Sequence, residues 1–106
     1  MRKKSKQRFT RNRILEAIEN NRDQISRYGV RKIGLFGSFA KGSQHRKSDL
    51  DFVVEFESPS FDNFMNLINY LEKLFGKKVD VITPAGIDSI RVKSVAKDIR
   101  RSVIYV

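Results

Sequence analysis

The sequence predicts an α+β fold in which a small mixed β-sheet is flanked by helices. Two patterns support this prediction: stretches where apolar and polar residues alternate, typical of strands, and stretches where apolar residues recur every three or four positions, typical of helices. They follow one another as helix, strand, strand, helix, strand, helix, strand, and we expect the helices to cover one face of the sheet. A length of 106 residues suits a single domain, residues 1–106, with one core.

The first two predicted elements are a helix and a strand. Thr10 suits an N-cap, apolar residues then fall at helical spacing, and Gly29 is a typical stop signal. The stretch VRKIGLFG predicts a strand with Ile33 and Leu35 on one face and Phe36 on the other.

The next two predicted elements are the clearest strand and the longest helix. In residues 50–57 apolar positions alternate with mostly acidic ones, which predicts one core face and one acidic face. Ser60 then suits an N-cap, and apolar residues recur from Phe61 to Phe75 before Gly76. We expect this apolar stripe, Phe61 included, to pack inward.

The last third of the chain predicts a strand, a helix and a short final strand. The stretch KVDVIT indicates the third strand, which we expect Pro84 to end. Apolar residues from Ile87 to Ile99 predict one amphipathic helix with a basic outer side. The stretch SVIYV at the end of the chain predicts a fourth strand.

The composition favours an anionic partner. The chain has 22 Lys and Arg against 12 Asp and Glu, and its net charge of +10 predicts attraction to nucleic acid, nucleotide phosphates or an acidic protein surface. Residues 1–9 form a basic arm suited to solubility or partner docking. No cysteine is present, no apolar run approaches the roughly 20 residues of a membrane span, and no apolar signal-peptide stretch follows the basic start. We therefore expect a cytoplasmic protein with no membrane partner.

One short stretch, GSFAKGSQHRKSDLD, places two aspartates one residue apart in this basic chain. Asp49 and Asp51 project to the same side of an extended strand, where their carboxylates repel each other unless a cation intervenes, and such hard oxygen ligands suit Mg²⁺. Asp80 joins them if the third strand pairs beside the second, and three carboxylates can hold two metal ions and accept a hydroxyl proton. Glu55 lies about 13 Å along the strand from Asp51, too far to bind the same ion.

The beginning of the same stretch suits phosphate binding. Gly37 permits a sharp exit from the first strand, Ser38 begins a turn or short helix with free backbone N–H groups, and Lys41 adds positive charge. The turn and the aspartates can therefore converge on one triphosphate. Each element alone also occurs on ordinary protein surfaces, as a common turn or as acids at a strand edge. The lone histidine, His45, is more often a solvated loop residue than a phosphate ligand.

Three separated motifs resemble a known family. Gly37-Ser38, ten intervening residues and then Asp49-Leu50-Asp51 resemble the signature of the DNA polymerase beta-like nucleotidyltransferase superfamily. The fuller pattern GLFGSFAKG…SDLDFVVEF…VDVIT is similar to its smallest branch, the minimal nucleotidyltransferases. The resemblance implies the polymerase beta-like fold, and transfer of a nucleotidyl group from ATP or another nucleoside triphosphate with Mg²⁺.

The resemblance also implies roles for individual residues. Gly37 and Ser38 match the phosphate-binding turn of the family. Lys41 stands where many relatives have arginine, so the positive charge remains but a bidentate contact is lost. The catalytic and metal-binding carboxylates of the family match Asp49, Asp51 and Asp80.

Members of this branch usually act with a separately encoded helical protein of the HEPN type. The resemblance implies an antitoxin that neutralises such a toxin by attaching AMP to a tyrosine, and the basic arm and the last helix are candidate docking surfaces. Two alternatives stay open: an antitoxin that neutralises its partner by binding alone, and an RNA-directed nucleotidyltransferase or nucleic-acid binder, which the net charge favours.

Overall fold

The computed structural model describes residues 9–106, so residues 1–8 of the predicted basic arm lie outside the described part. It contains six helices and four strands within that range. In chain order they are α1 (Arg11–Asn20), α2 (Arg22–Ser26), β1 (Val30–Phe36), α3 (Ser38–Lys41), β2 (Leu50–Phe56), α4 (Phe61–Phe75), β3 (Val79–Ile82), α5 (Pro84–Asp88), α6 (Lys93–Ser102) and β4 (Ile104–Tyr105). Within residues 9–106, no helix combines the length and the apolar character that crossing a membrane requires.

The four strands form one mixed sheet in the order β3-β2-β1-β4. β1 pairs antiparallel with β2 and with β4, whereas β2 and β3 run parallel. The predicted α+β fold with a small mixed sheet and flanking helices is therefore confirmed. The predicted fourth strand is also present, although only Ile104 and Tyr105 belong to it.

Helices cover both faces of this sheet, so the prediction of a single covered face is wrong. The larger core cluster joins buried residues of α1, α2 and α4 to one face, and a smaller cluster packs Ile87 of α5 and Ala96 of α6 against the other. Val53 of β2 belongs to that second cluster and is fully buried, although the alternation placed it on the largely acidic face away from the core. Alternation predicts one covered face, but a single apolar residue between Asp51 and Glu55 is enough for a second layer of helices to pack there.

The two predicted amphipathic helices at the ends of the chain are each interrupted. The first ends at Asn21, whose side-chain amide donates to the carbonyl oxygen of Ala17 and so competes with the continuing helix. The last is divided into α5 and α6 after the C-cap Ser89, whose hydroxyl donates to the carbonyl oxygen of Ala85. Pro84 begins α5 behind the N-cap Thr83 instead of only ending the preceding strand. Both breaks arise from local capping that apolar periodicity does not report.

The longest helix packs as predicted except at its first residue. Ser60 caps α4 through the backbone N–H of Asn63, and Leu67, Leu71 and Phe75 bury one stripe of it. Phe61 was expected in the same stripe but is 76% exposed, because the first turn of α4 precedes the buried positions that contact the core.

Truncating this buried stripe tests the core assignment. Leu71→Ala removes a fully buried side chain, and we expect it to lower the free energy of unfolding by about 2–5 kcal/mol, measured by urea denaturation. Val92→Ala is the control, because Val92 is 57% exposed and its truncation should change stability by less than about 0.5 kcal/mol. Equal effects of the two substitutions would contradict the core described here.

Candidate active site

Parallel pairing of β2 and β3 brings two of the predicted acids into neighbouring positions. Asp51 and Asp80 are partners in the strand register, and Asp49 lies two residues before Asp51. The pairing begins at the backbone hydrogen bond from Leu50 N–H to the carbonyl oxygen of Lys78, at 3.1 Å. The register therefore satisfies the condition under which Asp80 was expected to join the other two.

A glutamate of α4 holds the beginning of β3. The carboxylate Oε2 of Glu72 accepts the backbone N–H of Val79 at 3.1 Å, immediately before Asp80. Sequence analysis did not single out Glu72. In the sequence, Glu72 is simply a polar residue on an amphipathic helix. Its contact with β3 depends on how the helix and the strand pack, which the sequence pattern does not specify.

The paired acids lie on the face of the sheet that α5 and α6 cover. Side chains two apart on a strand share a face, so Asp51 lies on the side of Val53, and Asp80 on the side of Ile82. Val53 and Ile82 both belong to the cluster packed against α5 and α6. The acids therefore lie at the solvent-exposed edge of this second layer, with Asp51 half-buried and Asp80 exposed.

Burial and repulsion make ionised Asp51 unfavourable. Burial is the largest cause, and together with the charges of Asp80 and then Asp49 it raises the pKa of Asp51 from 3.8 to about 6. Within residues 9–106, none of the three carboxylates forms an ion pair. In a chain of net charge +10, these acids are thus left without a basic partner.

The glycine turn after β1 lies directly against Asp51. Gly37 has a φ of +81°, and a Cβ atom at this position would overlap Oδ2 of Asp51 and lie 3.1 Å from its Cγ. Glycine is required here both for the left-handed backbone and for the close approach of the carboxylate. The predicted phosphate turn and the predicted metal-binding acids are therefore adjacent.

Helix α3 begins at this turn and is anchored in the core. Phe39 and Ala40 are buried, and the guanidinium of Arg11 donates to the carbonyl oxygen of Ala40 at 3.1 Å. The backbone N–H groups of residues 38–40 open the helix and have no acceptor in its preceding turn. Ser38 thus presents its hydroxyl and free N–H donors from a fixed position, as a phosphate-binding turn requires.

In the structure Lys41 pairs with an acid of α6. Its ammonium group lies 2.8 Å from Oδ2 of Asp98 on α6, and both side chains are about half exposed. Sequence analysis did not single out Asp98, because 57 positions separate the two residues and no local pattern relates them. His45 is exposed, and its Nδ1 accepts the backbone N–H of Lys47 within the loop.

The donor chemistry of the site fits a hard divalent cation. Every candidate ligand is a carboxylate, and Asp51 lacks the countercharge that a cation would supply. In the described range no three acidic or histidine side chains form a group that could enclose a metal ion by themselves. Mg²⁺ is usually held by one or two carboxylates together with substrate phosphates, so this open arrangement suits an ion that arrives with its nucleotide.

Comparison with known proteins finds a family match over most of the chain. The nucleotidyltransferase domain family matches residues 12–106. Protein adenylyltransferase MntA of Thermococcus cleftensis is 39% identical over 98 residues, which are 87% of this chain and 95% of that protein.

Solved structures share the fold at low sequence identity. A minimal nucleotidyltransferase is 24% identical with a TM-score of 0.72, over 93% of this chain and 98% of that one. An MNT antitoxin in complex with the tri-AMPylated HEPN toxin of Shewanella oneidensis is 17% identical with a TM-score of 0.50, over 90% of this chain and 66% of the matched chain.

Substitution of the turn glycine tests its contact with Asp51. Gly37→Ala introduces both an unfavourable left-handed backbone and an overlap with the Asp51 carboxylate, so we expect it to cost more stability than Gly42→Ala. Gly42 is the control for a positive φ without a contact, because its φ is +78° and no atom lies within 4 Å of an added Cβ, leaving a backbone cost of about 1–2 kcal/mol. The ψ of −155° at Gly37 adds to the backbone cost there, since that region is essentially restricted to glycine. Urea denaturation measures both, and equal losses would contradict the close approach of Asp51.

The raised pKa of Asp51 predicts a pH-dependent stability. Between about pH 4 and 6 the folded chain keeps a proton on Asp51 that the unfolded chain has lost, so ionisation of Asp51 lowers the free energy of unfolding as pH rises through this range. Asp51→Asn removes this penalty. In urea denaturation without divalent ions, we expect the stability of the variant relative to wild type to be greater at about pH 8 than at about pH 4. A difference that stays constant with pH would contradict this.

Proposed function

This chain belongs to the nucleotidyltransferase domain family, and from that premise we propose that it transfers AMP from ATP to a tyrosine hydroxyl of a HEPN-type partner protein. The chain is a nucleotidyltransferase enzyme. The donor, the metal, the acceptor and the residue roles are parts of the proposal. In a cell the reaction would neutralise a toxin in the cytoplasm, so that this chain acts as the antitoxin of the pair.

One observation carries the proposal: the Asp51 and Asp80 pair lies beside the Gly37-Ser38 turn and has no basic partner in residues 9–106. The turn offers hydrogen-bond donors for phosphate oxygens, and the acids offer oxygens for a cation. A nucleoside triphosphate bound with Mg²⁺ presents both of the charges that this arrangement lacks.

The proposed acceptor follows from the relatives. The Thermococcus cleftensis protein is named a protein adenylyltransferase, and the structural neighbour from Shewanella oneidensis is an antitoxin bound to a HEPN toxin that carries three AMP groups. Both names describe transfer of AMP to protein. They support a protein acceptor for this chain over an RNA acceptor.

Each residue of the proposed site has a distinct role. Asp49 and Asp51, with Asp80, would hold Mg²⁺, which supplies charge neutralisation of the triphosphate and of the leaving pyrophosphate when it is bound. Gly37 and Ser38 hold the phosphate chain through backbone N–H groups and the hydroxyl. Lys41 would contact phosphate only after leaving Asp98, which costs little because the pair is exposed.

The proposed reaction is a substitution at the α-phosphorus of ATP. The acceptor oxygen forms a bond to the α-phosphorus of ATP, the bond from that phosphorus to the oxygen bridging the β-phosphorus breaks, and pyrophosphate leaves. The hydroxyl proton passes to the carboxylate of Asp80, which is exposed and therefore accessible to an acceptor. The half-buried Asp51 beside it would help to hold the Mg²⁺ that neutralises the triphosphate.

Removing the acids one at a time tests these roles. We expect Asp49→Asn and Asp51→Asn each to slow AMP transfer at least about a hundredfold, because the charge that balances the cation is lost at an aligned site. Asp80→Asn should retain ATP binding but slow transfer. The assay incubates the chain with a purified HEPN-type protein from the same genome, Mg²⁺ and each nucleoside triphosphate in turn, and weighs the partner by mass spectrometry.

Glu55→Gln provides the matched control for this series. Glu55 also lies on β2 and carries a carboxylate, but it pairs with Arg31 at 3.8 Å and is too far from Asp51 to share an ion. It should transfer AMP at the wild-type rate. Undiminished transfer by Asp51→Asn would refute the assigned site. A stable complex without a mass gain under any triphosphate would favour neutralisation by binding alone.

A further inference from the structure

A groove separates α5 from α6 on the face of the sheet that carries the acids. It has a volume of about 740 Å³, and its lining includes the buried residues Ile87 and Ala96 and the half-buried Ile90. Val53 of the sheet supports these side chains from below. The groove therefore has an apolar floor large enough to receive several side chains.

Basic residues line the upper edge of this groove. Lys93 and Lys97 are one helical turn apart on α6, both are exposed, and neither forms an ion pair within residues 9–106. Arg100 continues the same edge and pairs with Asp88 of α5. The groove thus combines an apolar floor with a rim on which Lys93 and Lys97 have no acidic partner in residues 9–106.

We propose that this groove binds an acidic amphipathic helix of the protein to which the chain transfers AMP. The inference rests on the proposed function and names the surface through which the acceptor docks. A helix with apolar residues on one side fits a groove between two helices, and acidic residues beside that apolar side would pair with Lys93 and Lys97.

Charge excludes the competing occupants. The first eight residues of this chain carry five basic side chains and no acid, and a second copy has the same net charge of +10, so both would be repelled by the rim. A nucleic acid would satisfy the rim through its phosphates but would leave the apolar floor unfilled. An acidic amphipathic protein segment can both fill the apolar floor and pair with the lysines of the rim.

The groove lies close enough to the acids to serve transfer. Val53, under its floor, follows Asp51 by two residues on the same face of β2, a separation of about 7 Å. The ion pair of Asp98 with Lys41 also links α6 to the helix that begins at the phosphate turn. A partner held in the groove is therefore held beside the candidate active site.

Charge reversal of the rim tests the proposal. Lys93→Glu combined with Lys97→Glu should weaken binding of the purified HEPN-type protein at least about tenfold, measured by titration calorimetry. In the transfer assay this variant should raise KM for that protein by a similar factor and leave kcat unchanged. Its affinity for ATP should equal that of wild type, because neither lysine belongs to the proposed nucleotide site.

Arg13→Glu combined with Arg27→Glu is the matched control. Both arginines are exposed, and α1 and α2 pack against the opposite face of the sheet, so the net charge changes equally but the groove does not. Equal weakening by the two double variants, or none by the rim variant, would overturn the docking proposal. Tighter binding of a single-stranded RNA than of the protein, lost on rim reversal, would also overturn it, as would absence of protein binding by wild type.

The two proposals fail separately. If wild type binds the HEPN-type protein through the rim but adds no mass to it, the docking surface stands and AMP transfer is refuted. If wild type adds AMP and the rim variant has an unchanged KM, transfer stands and the docking surface is refuted.

Discussion

The candidate site depends on the parallel pairing of β2 with β3, which holds Asp51 and Asp80 in register. By itself this arrangement is unfavourable, because burial and two neighbouring acids raise the pKa of Asp51 to about 6. The buried residues that follow Asp51 on β2, Phe52 and Val53, pack against opposite faces of the sheet and hold the strand in place. Apolar packing thus holds Asp51 where its ionised form is unfavourable, and in the proposed function a bound cation would relieve this cost.

The site supplies positive potential from backbone more than from side chains. In the proposed site, a lysine close to Asp51 would pair with it and occupy the position of the metal ion, whereas backbone N–H groups at the start of α3 would bind phosphate without neutralising a carboxylate. Gly37 makes this possible by letting the turn approach Asp51 without a side chain between them. Lys41, the basic residue of the turn, is meanwhile paired with Asp98.

The second helical layer connects the site to a possible acceptor surface. α5 and α6 bury Val53, which lies on the same side of β2 as Asp51, and they leave the groove with its basic edge open. The chain as a whole carries a net charge of +10, which produces a positive field around it. Such a field attracts both an anionic nucleotide and an acidic protein.

The sequence by itself determined the features that depend on neighbours along the chain. Alternation and helical spacing located the strands and α4, caps at Thr10 and Ser60 agreed with their helices, and the Gly37-Ser38 and Asp49-Leu50-Asp51 motifs located the candidate site. Only the tertiary structure decided that Val53 is buried, that helices cover both faces, that Asp80 is in register with Asp51 and that Lys41 pairs with Asp98. Each of these depends on contacts between residues far apart in the chain, which local periodicity cannot specify because packing sets them.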